Sequence, residues 1–238
     1  MGGTAVDYRY RDCTMRGYLA RPEGDDAAVR PAVLIFPDGF GLGQPAKRRA
    51  HMLADRGYIA FIADPYGEGA MARDVAEGHK LSGGLLADPD ELRGRMIAAL
   101  DTIRGLPGVD AARIAAIGYC FGGTCALELA RTGAEIAALV SFHGALATTR
   151  PAAAGVIKPK VLICTGSIDP LIPMEQILAF TDEMTRAGAD WQLALYGGAP
   201  HNFTNPDANL MNRSGVGYDA HADHRSWQAM RNLFAETL

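Results

Sequence analysis

The chain has 238 residues, 48% hydrophobic, 21% charged and 8% aromatic, a balance that fits an ordinary globular protein and excludes disorder and collagen-like repetition. Its 23 basic and 27 acidic residues give a net charge of -4, and the densest basic cluster is Lys47, Arg48 and Arg49, so the electrostatic footprint of a nucleic-acid binder is missing. With no apolar run of about 18 residues and no basic-then-apolar leader pattern, the chain reads as cytoplasmic, with no membrane partner.

Two short runs open the chain, near Val6 to Tyr10 and Arg16 to Ala20. They lie too close for a crossover helix and predict an antiparallel hairpin at one sheet edge. Apolar runs bounded by Gly, Pro or Asp follow at Ala32 to Phe36, Ile59 to Ala63, Ile114 to Gly118, Ala137 to Ser141, Val161 to Thr165 and Trp191 to Tyr196. Helical stretches separate them at Pro45 to Arg56, Asp90 to Arg104, Phe121 to Arg131 and Glu175 to Ala187, with a last helix from about Asp219 to Thr237. Strands that are apolar throughout must be buried on both faces, so the pattern predicts an α/β protein with a mostly parallel central sheet and helices on both faces. No repeat or polar linker divides the chain, and residues 1–238 are expected to form a single domain. The longest irregular stretch, Asp64 to Pro89, carries Gly67, Gly69, Gly78, Gly83 and Gly84. It predicts either a mobile cap over a site at the sheet's C-terminal edge or a surface excursion without a role.

Cys13, Cys120, Cys125 and Cys164 have neither disulfide-framework nor zinc-ribbon spacing and read as free thiols. One of them is placed for chemistry. The run Ile114-Ala115-Ala116-Ile117-Gly118-Tyr119-Cys120-Phe121-Gly122-Gly123 is a strand ending in Gly-x-Cys-x-Gly-Gly and entering a helix, which is the nucleophile-elbow pattern with Cys in place of Ser. The tight turn needs small neighbours, which Gly118 and Gly122 supply, and it sets the sulfur at a helix N-terminus, where free N–H groups and the macrodipole favour a thiolate. A nucleophile needs a base and the base an orienting carboxylate, in the chain order nucleophile, acid, His. Gly166-Ser167-Ile168-Asp169-Pro170 places Asp169 beyond one strand end, and Gly197-Gly198-Ala199-Pro200-His201-Asn202-Phe203 places His201 beyond the next. Of the other histidines, His51, His221 and His224 fall on polar helix faces, His79 lies in the glycine-rich stretch, and His143 follows a strand at the same edge, where it could line the pocket or serve in positioning or packing. The oxyanion donors expected for such a site are the N–H groups of Phe121 and of Gly39, in the loop Pro37-Asp38-Gly39-Phe40-Gly41. Asp38 either hydrogen-bonds the thiol or the imidazole, or caps local N–H groups as a turn residue.

Taken together, Pro37-Asp38-Gly39-Phe40-Gly41, Ala63-Asp64-Pro65-Tyr66, Gly118-Tyr119-Cys120-Phe121-Gly122-Gly123, Gly166-Ser167-Ile168-Asp169-Pro170 and His201-Asn202-Phe203 resemble the dienelactone hydrolase family of α/β-hydrolases over most of the chain. The resemblance implies an α/β-hydrolase fold with one antiparallel and seven parallel strands, a triad of Cys120 as nucleophile, His201 as base and Asp169 as orienter, and no metal or organic cofactor. Two departures bear on substrate. The family's dienelactone-cleaving members carry a Glu where this chain has Asp38. They also hold the substrate carboxylate with two arginines, one of them four residues after the catalytic His, where this chain has Asn205; Arg73 is the only arginine in the stretch expected to supply the other. Without a clear anion clamp, neutral small-molecule esters or lactones fit better than an anionic lactone. The expected chemistry is hydrolysis through a Cys120 acyl-enzyme with His201 as base, with organophosphate triesters as promiscuous substrates of the same triad. Two other classes remain, a thiol redox protein using Cys120 with Cys125, and a non-catalytic binding protein on the same fold. Whether the chain is a monomer or a homodimer is open.

Overall fold

The computed structural model describes residues 2–24 and 28–238; the part of the single-domain expectation that covers Met1 and residues 25–27 lies outside them. Eight strands form one sheet: β1 (Thr4–Tyr10), β2 (Cys13–Ala20), β3 (Arg30–Phe36), β4 (Ile59–Ile62), β5 (Val109–Tyr119), β6 (Ala138–Phe142), β7 (Lys160–Gly166) and β8 (Trp191–Tyr196), in the order β1-β2-β4-β3-β5-β6-β7-β8. β2 pairs antiparallel with both β1 and β4, and every later pair is parallel, so β2 alone runs against the other seven strands. This is the α/β-hydrolase architecture with its edge hairpin.

Period-two alternation divides the strands between two cores. On one face Leu34, Phe36, Phe61, Ala116, Leu139 and Ile163 pack under α3 (Pro89–Arg104), α4 (Phe121–Arg131) and α5 (Met174–Ala187). On the other, Val33, Ile35, Ile62, Ile117, Val140 and Leu162 pack under α1 (Gln44–Ala54) and α6 (Ala220–Thr237). The central side chains Leu34, Ile35 and Phe61 are wholly buried, and truncating one such Leu or Ile to Ala costs about 2–5 kcal/mol. The helices start where the sequence supplies caps: the Asp88 carboxylate accepts the Glu91 N–H ahead of α3, and the Asp219 carboxylate accepts the Ala222 N–H ahead of α6. Along α3, Leu92, Met96, Ala99, Leu100 and Ile103 repeat at helical spacing and form its buried stripe. No helix among the described residues is long and apolar enough to cross a membrane.

The stretch from Asp64 to Pro89 is not irregular throughout. Residues Val75–Leu86 form a helix, α2, started by Asp74, whose carboxylate accepts the Glu77 N–H at 2.8 Å. Its glycines hide it from a reading by composition, yet Gly83 and Gly84 meet no neighbour, while Gly78 sits where a Cβ would lie 3.1 Å from the Gly39 carbonyl oxygen. Gly78 is therefore the close-approach residue that lets α2 lie against the loop after β3.

Candidate active site

β5 runs into α4 through Cys120, which takes φ 53° and ψ −119°. A non-glycine residue at positive φ is strained, and the surroundings must over-determine it. Here they do. A Cβ on Gly118 would overlap the Gly122 carbonyl and one on Gly122 would overlap the Phe36 carbonyl, so only glycine fits at either position. The Cys120 N–H is shared between the Phe142 carbonyl at 3.0 Å and His143 Nδ1 at 3.1 Å, which pins the turn to the end of β6.

The loop after β8 is fixed by a parallel bridge between His201 and Val216, in which the His201 N–H donates to the Gly215 carbonyl at 2.8 Å and the Gly217 N–H to the His201 carbonyl at 3.0 Å. From this anchored backbone His201 Nε2 reaches Cys120 Sγ at 3.2 Å, and Nδ1 reaches Asp169 Oδ2 at 2.7 Å. The other Asp169 oxygen accepts the Leu171 N–H at 2.9 Å, so the carboxylate is held at both ends. Burial opposes the imidazolium form of His201, but hydrogen bonds to Asp169 and Cys120 outweigh it and push His201 up to about 10. The Phe121 and Gly39 N–H groups have no protein acceptor among the described residues, and both residues line the same pocket as Cys120 and His201. That pocket has a cavity volume of about 90 Å³. α2 roofs it with Val75, Gly78, His79 and Ser82, and Leu171, Met211 and Val216 add apolar wall.

The accessory expectations fare differently. Asp38 lines the pocket, but its carboxylate accepts the Phe40 N–H at 2.9 Å and makes no hydrogen bond to Cys120 or His201 among the described residues, so of its two readings the turn residue is the one observed. Burial raises its carboxyl. His143 does not line the pocket: it lies wholly buried behind Cys120 at φ 43°, held by the Cys120 N–H on one side and Thr204 on the other. Arg73 points away, highly exposed and paired with Glu77 at 2.9 Å, because Glu77 stands one helical turn along the same segment. His51 is not merely solvated, since its Nε2 bonds the Tyr18 hydroxyl at 2.9 Å, whereas His221 and His224 are exposed. Cys125 is buried in the core with its thiol pushed well up by burial, and it forms no disulfide with Cys120. All four cysteines are free thiols, and among the described residues no three His, Cys, Asp or Glu side chains gather as a metal-binding group.

Sequence reasoning missed Arg213, an exposed residue that lines the pocket and makes no ion pair among the described residues. Nothing local marks it. It is brought there by the bridge between His201 and Val216, a pairing of segments with no strand pattern of their own. His79 and Ser82 carry no local mark as pocket residues either; the helical form of α2 puts them one turn apart on the face over Cys120.

The sequence pattern of the dienelactone hydrolase family matches residues 15–238. The solved structure named m3DLH is 41% identical and superposes with a TM-score of 0.94 over 100% of this chain and 98% of its own. A crystal structure described as a dienelactone hydrolase-like promiscuous phosphotriesterase from metagenomic libraries is 42% identical, with a TM-score of 0.93 over 99% of this chain and 98% of its own. A Salmonella typhimurium protein named "Putative carboxymethylenebutenolidase" is 28% identical over 93% of this chain and 83% of its own length.

Proposed function

Since this chain belongs to the dienelactone hydrolase family and is an ester or lactone hydrolase, we propose that it cleaves small carboxylic esters or lactones by covalent catalysis at Cys120, with His201 as base and Asp169 as its orienter. The observation that carries this reading is the unbroken chain from Sγ through the imidazole to a buried carboxylate, at 3.2 and 2.7 Å, opening into a pocket beside two free N–H donors. Sγ attacks the carbonyl carbon with its proton already on His201 Nε2, the charged form that Asp169 and Cys120 favour. The carbonyl π electrons move to oxygen, and the N–H groups of Phe121 and Gly39 stabilise the oxyanion. Collapse expels the alkoxide, which takes the proton from His201 and leaves a thioester. Water then adds to the thioester carbonyl as His201, left neutral by the alkoxide, accepts its proton, and collapse releases the acid and returns Sγ beside the charged ring.

Neutral substrates fit best, because neither Arg73 nor position 205 brings a guanidinium to the pocket; Arg213 sets one cation at its edge. A second reading, phosphotriester cleavage by the same thiol, is favoured by the 42% identical neighbour with that described activity. There Sγ would attack phosphorus and an aryloxide would leave. The test is turnover of p-nitrophenyl acetate and butyrate, a neutral lactone and paraoxon, each beside Cys120→Ala and Cys120→Ser. A burst in the wild type and loss of turnover in Cys120→Ala are expected; equal activity in Cys120→Ala would overturn the assignment.

A further inference from the structure

Between the two oxyanion donors lies a side chain that the mechanism has not used. Tyr66 stands on the loop after β4 and donates its hydroxyl to the Gly39 carbonyl at 2.9 Å, while its ring stacks on Phe121 with centroids 5.9 Å apart and planes within 9° of parallel. One residue thus grips both loops whose N–H groups face the reacting carbonyl. We propose that Tyr66 is the positioning residue of the oxyanion site, fixing the separation and aim of the Gly39 and Phe121 N–H groups; this rests on the reading of Cys120 as nucleophile.

The geometry explains why a tyrosine is required. An oxyanion site works only if its donors are aimed before charge develops, because reorienting a peptide group during the reaction forfeits much of the gain. Gly39 lies in an irregular loop, and its N–H and C=O belong to successive peptide groups that the free φ and ψ of a glycine would let swing relative to each other. Its carbonyl is clamped by the Tyr66 hydroxyl and crowded on another side by Gly78 of α2, whose position would put a Cβ 3.1 Å away. The strut is itself rigid. Asp64, two residues before Tyr66, is wholly buried, and its carboxylate accepts four backbone N–H groups: Tyr66 at 3.1 Å, Gly67 at 2.9 Å, Gly69 at 2.8 Å and Arg16 at 2.9 Å. That cage ties the loop of Tyr66 to itself and to β2, so the phenol is presented from a fixed base. The segment Ala63-Asp64-Pro65-Tyr66 thereby has a mechanical role: Asp64 sets the loop and Tyr66 transmits that setting to the donors. Burial raises the Tyr66 phenol, which keeps its proton on oxygen and available for donation to Gly39 throughout the working range of the enzyme.

Tyr66→Phe deletes the donated hydrogen bond and keeps the stack, so it separates the two halves of the strut. With p-nitrophenyl butyrate the expected result is a kcat about tenfold lower with KM within twofold of wild type, less than the 10²–10³-fold cost of removing a donor outright. Inactivation by iodoacetamide supplies the control. Alkylation at a CH2 carbon develops no oxyanion, so its rate constant and pH profile in Tyr66→Phe should match wild type. A trifluoromethyl ketone, which forms a tetrahedral oxyanion on sulfur, should bind about tenfold more weakly. Tyr66→Leu, which also removes the ring from Phe121, should widen the kcat deficit further. An unchanged kcat in both variants would overturn the proposal. So would a parallel fall in the iodoacetamide rate, because the defect would then lie in the nucleophile and its elbow. Failure of the nucleophile reading shows separately, as full activity in Cys120→Ala.

Discussion

Two histidines stand edge to face at the C-terminal end of the sheet, with ring centroids 5.3 Å apart, and they are driven to opposite charge states. His201, after β8, is pushed up to about 10; His143, after β6, is held well below the ordinary histidine range. Burial penalises the charged form of both, and they are almost equally buried, at 6% and 0% exposure. The difference lies in the partners. His201 faces a carboxylate and a thiol, which both reward a proton on the ring. His143 Nδ1 faces the Cys120 N–H, which can only donate, so that nitrogen must stay bare and the single ring proton sits on Nε2, directed at Thr204 Oγ1 2.8 Å away. Protonating His143 would set N–H against N–H beside an imidazolium that already carries charge. What surrounds the ring, rather than depth, decides which histidine serves as base and which as part of the frame.

The largest effect should come from removing what makes His201 different. Asp169→Asn leaves an amide where the carboxylate favoured the imidazolium, and kcat/KM should fall on the order of 10³-fold or more while the fold persists. The sign of the accompanying stability change follows from linkage. A folded value of about 10 lies above the unfolded value of about 6.5, so the stabilisation is fully present below about pH 6.5 and is lost as pH rises through 10. The stability gap between wild type and Asp169→Asn, from denaturant melts, should therefore be widest near pH 6.5 and narrow toward pH 10; a gap that widens with rising pH would break the comparison.

His143→Phe probes the other ring. It retains an aromatic shape but gives up the acceptor for the Cys120 N–H, leaving the Phe142 carbonyl as sole partner. A roughly tenfold loss in kcat is expected, since the elbow is less firmly held but no reacting group is removed. The stability signature is opposite to that of His201. Because the folded value is depressed, the unfolded chain takes up a proton below about pH 6.5 that the native state refuses, and this one group lowers stability by at most about 1.4 kcal/mol per pH unit on further acidification. His143→Phe should flatten that acid slope between pH 6.5 and 5, measured by urea midpoints. An unaltered slope would mean that His143 titrates normally.

How far this contrast could be foreseen depends on the kind of signal each part leaves in the sequence. The strands, Cys120, Asp169 and His201 were legible because apolar runs mark strand ends, and loops following those ends converge at one sheet edge. Gly118 and Gly122 announced the turn, since their missing Cβ atoms are a steric requirement written directly into residue type. His143 was visible as a residue at the edge, but not as a bare acceptor behind Cys120, because that contact depends on its backbone turning to φ 43°. Arg73 looked available for an anion and is instead captured by Glu77 four residues on. α2 was obscured because its glycines suggest a loop, whereas the Asp74 cap and the fit of Gly78 against Gly39 support a helix. Arg213 reaches the pocket through a bridge of two irregular segments, and no periodicity reports such pairing.

The subtlest prediction concerns Thr204, the far end of the His143 contact. Its carbonyl is held by Arg49 at 2.7 Å, and that guanidinium is in turn held by Asp223 at 2.6 Å, so the hydroxyl cannot easily move to compensate for a change at the ring. Thr204→Val keeps the shape and removes the acceptor, stranding a buried ring N–H, and should cost about 1–3 kcal/mol of stability with only a few-fold loss in kcat. Thr204→Ser keeps the hydroxyl and should recover most of that stability. The decisive comparison is made in the His143→Phe background, where there is no ring proton to strand. There Thr204→Val should cost much less than it does in wild type, and the difference between the two costs isolates the His143–Thr204 hydrogen bond. Equal costs in the two backgrounds would mean that Thr204 stabilises the loop without reference to His143, and that the ring is kept neutral by burial alone.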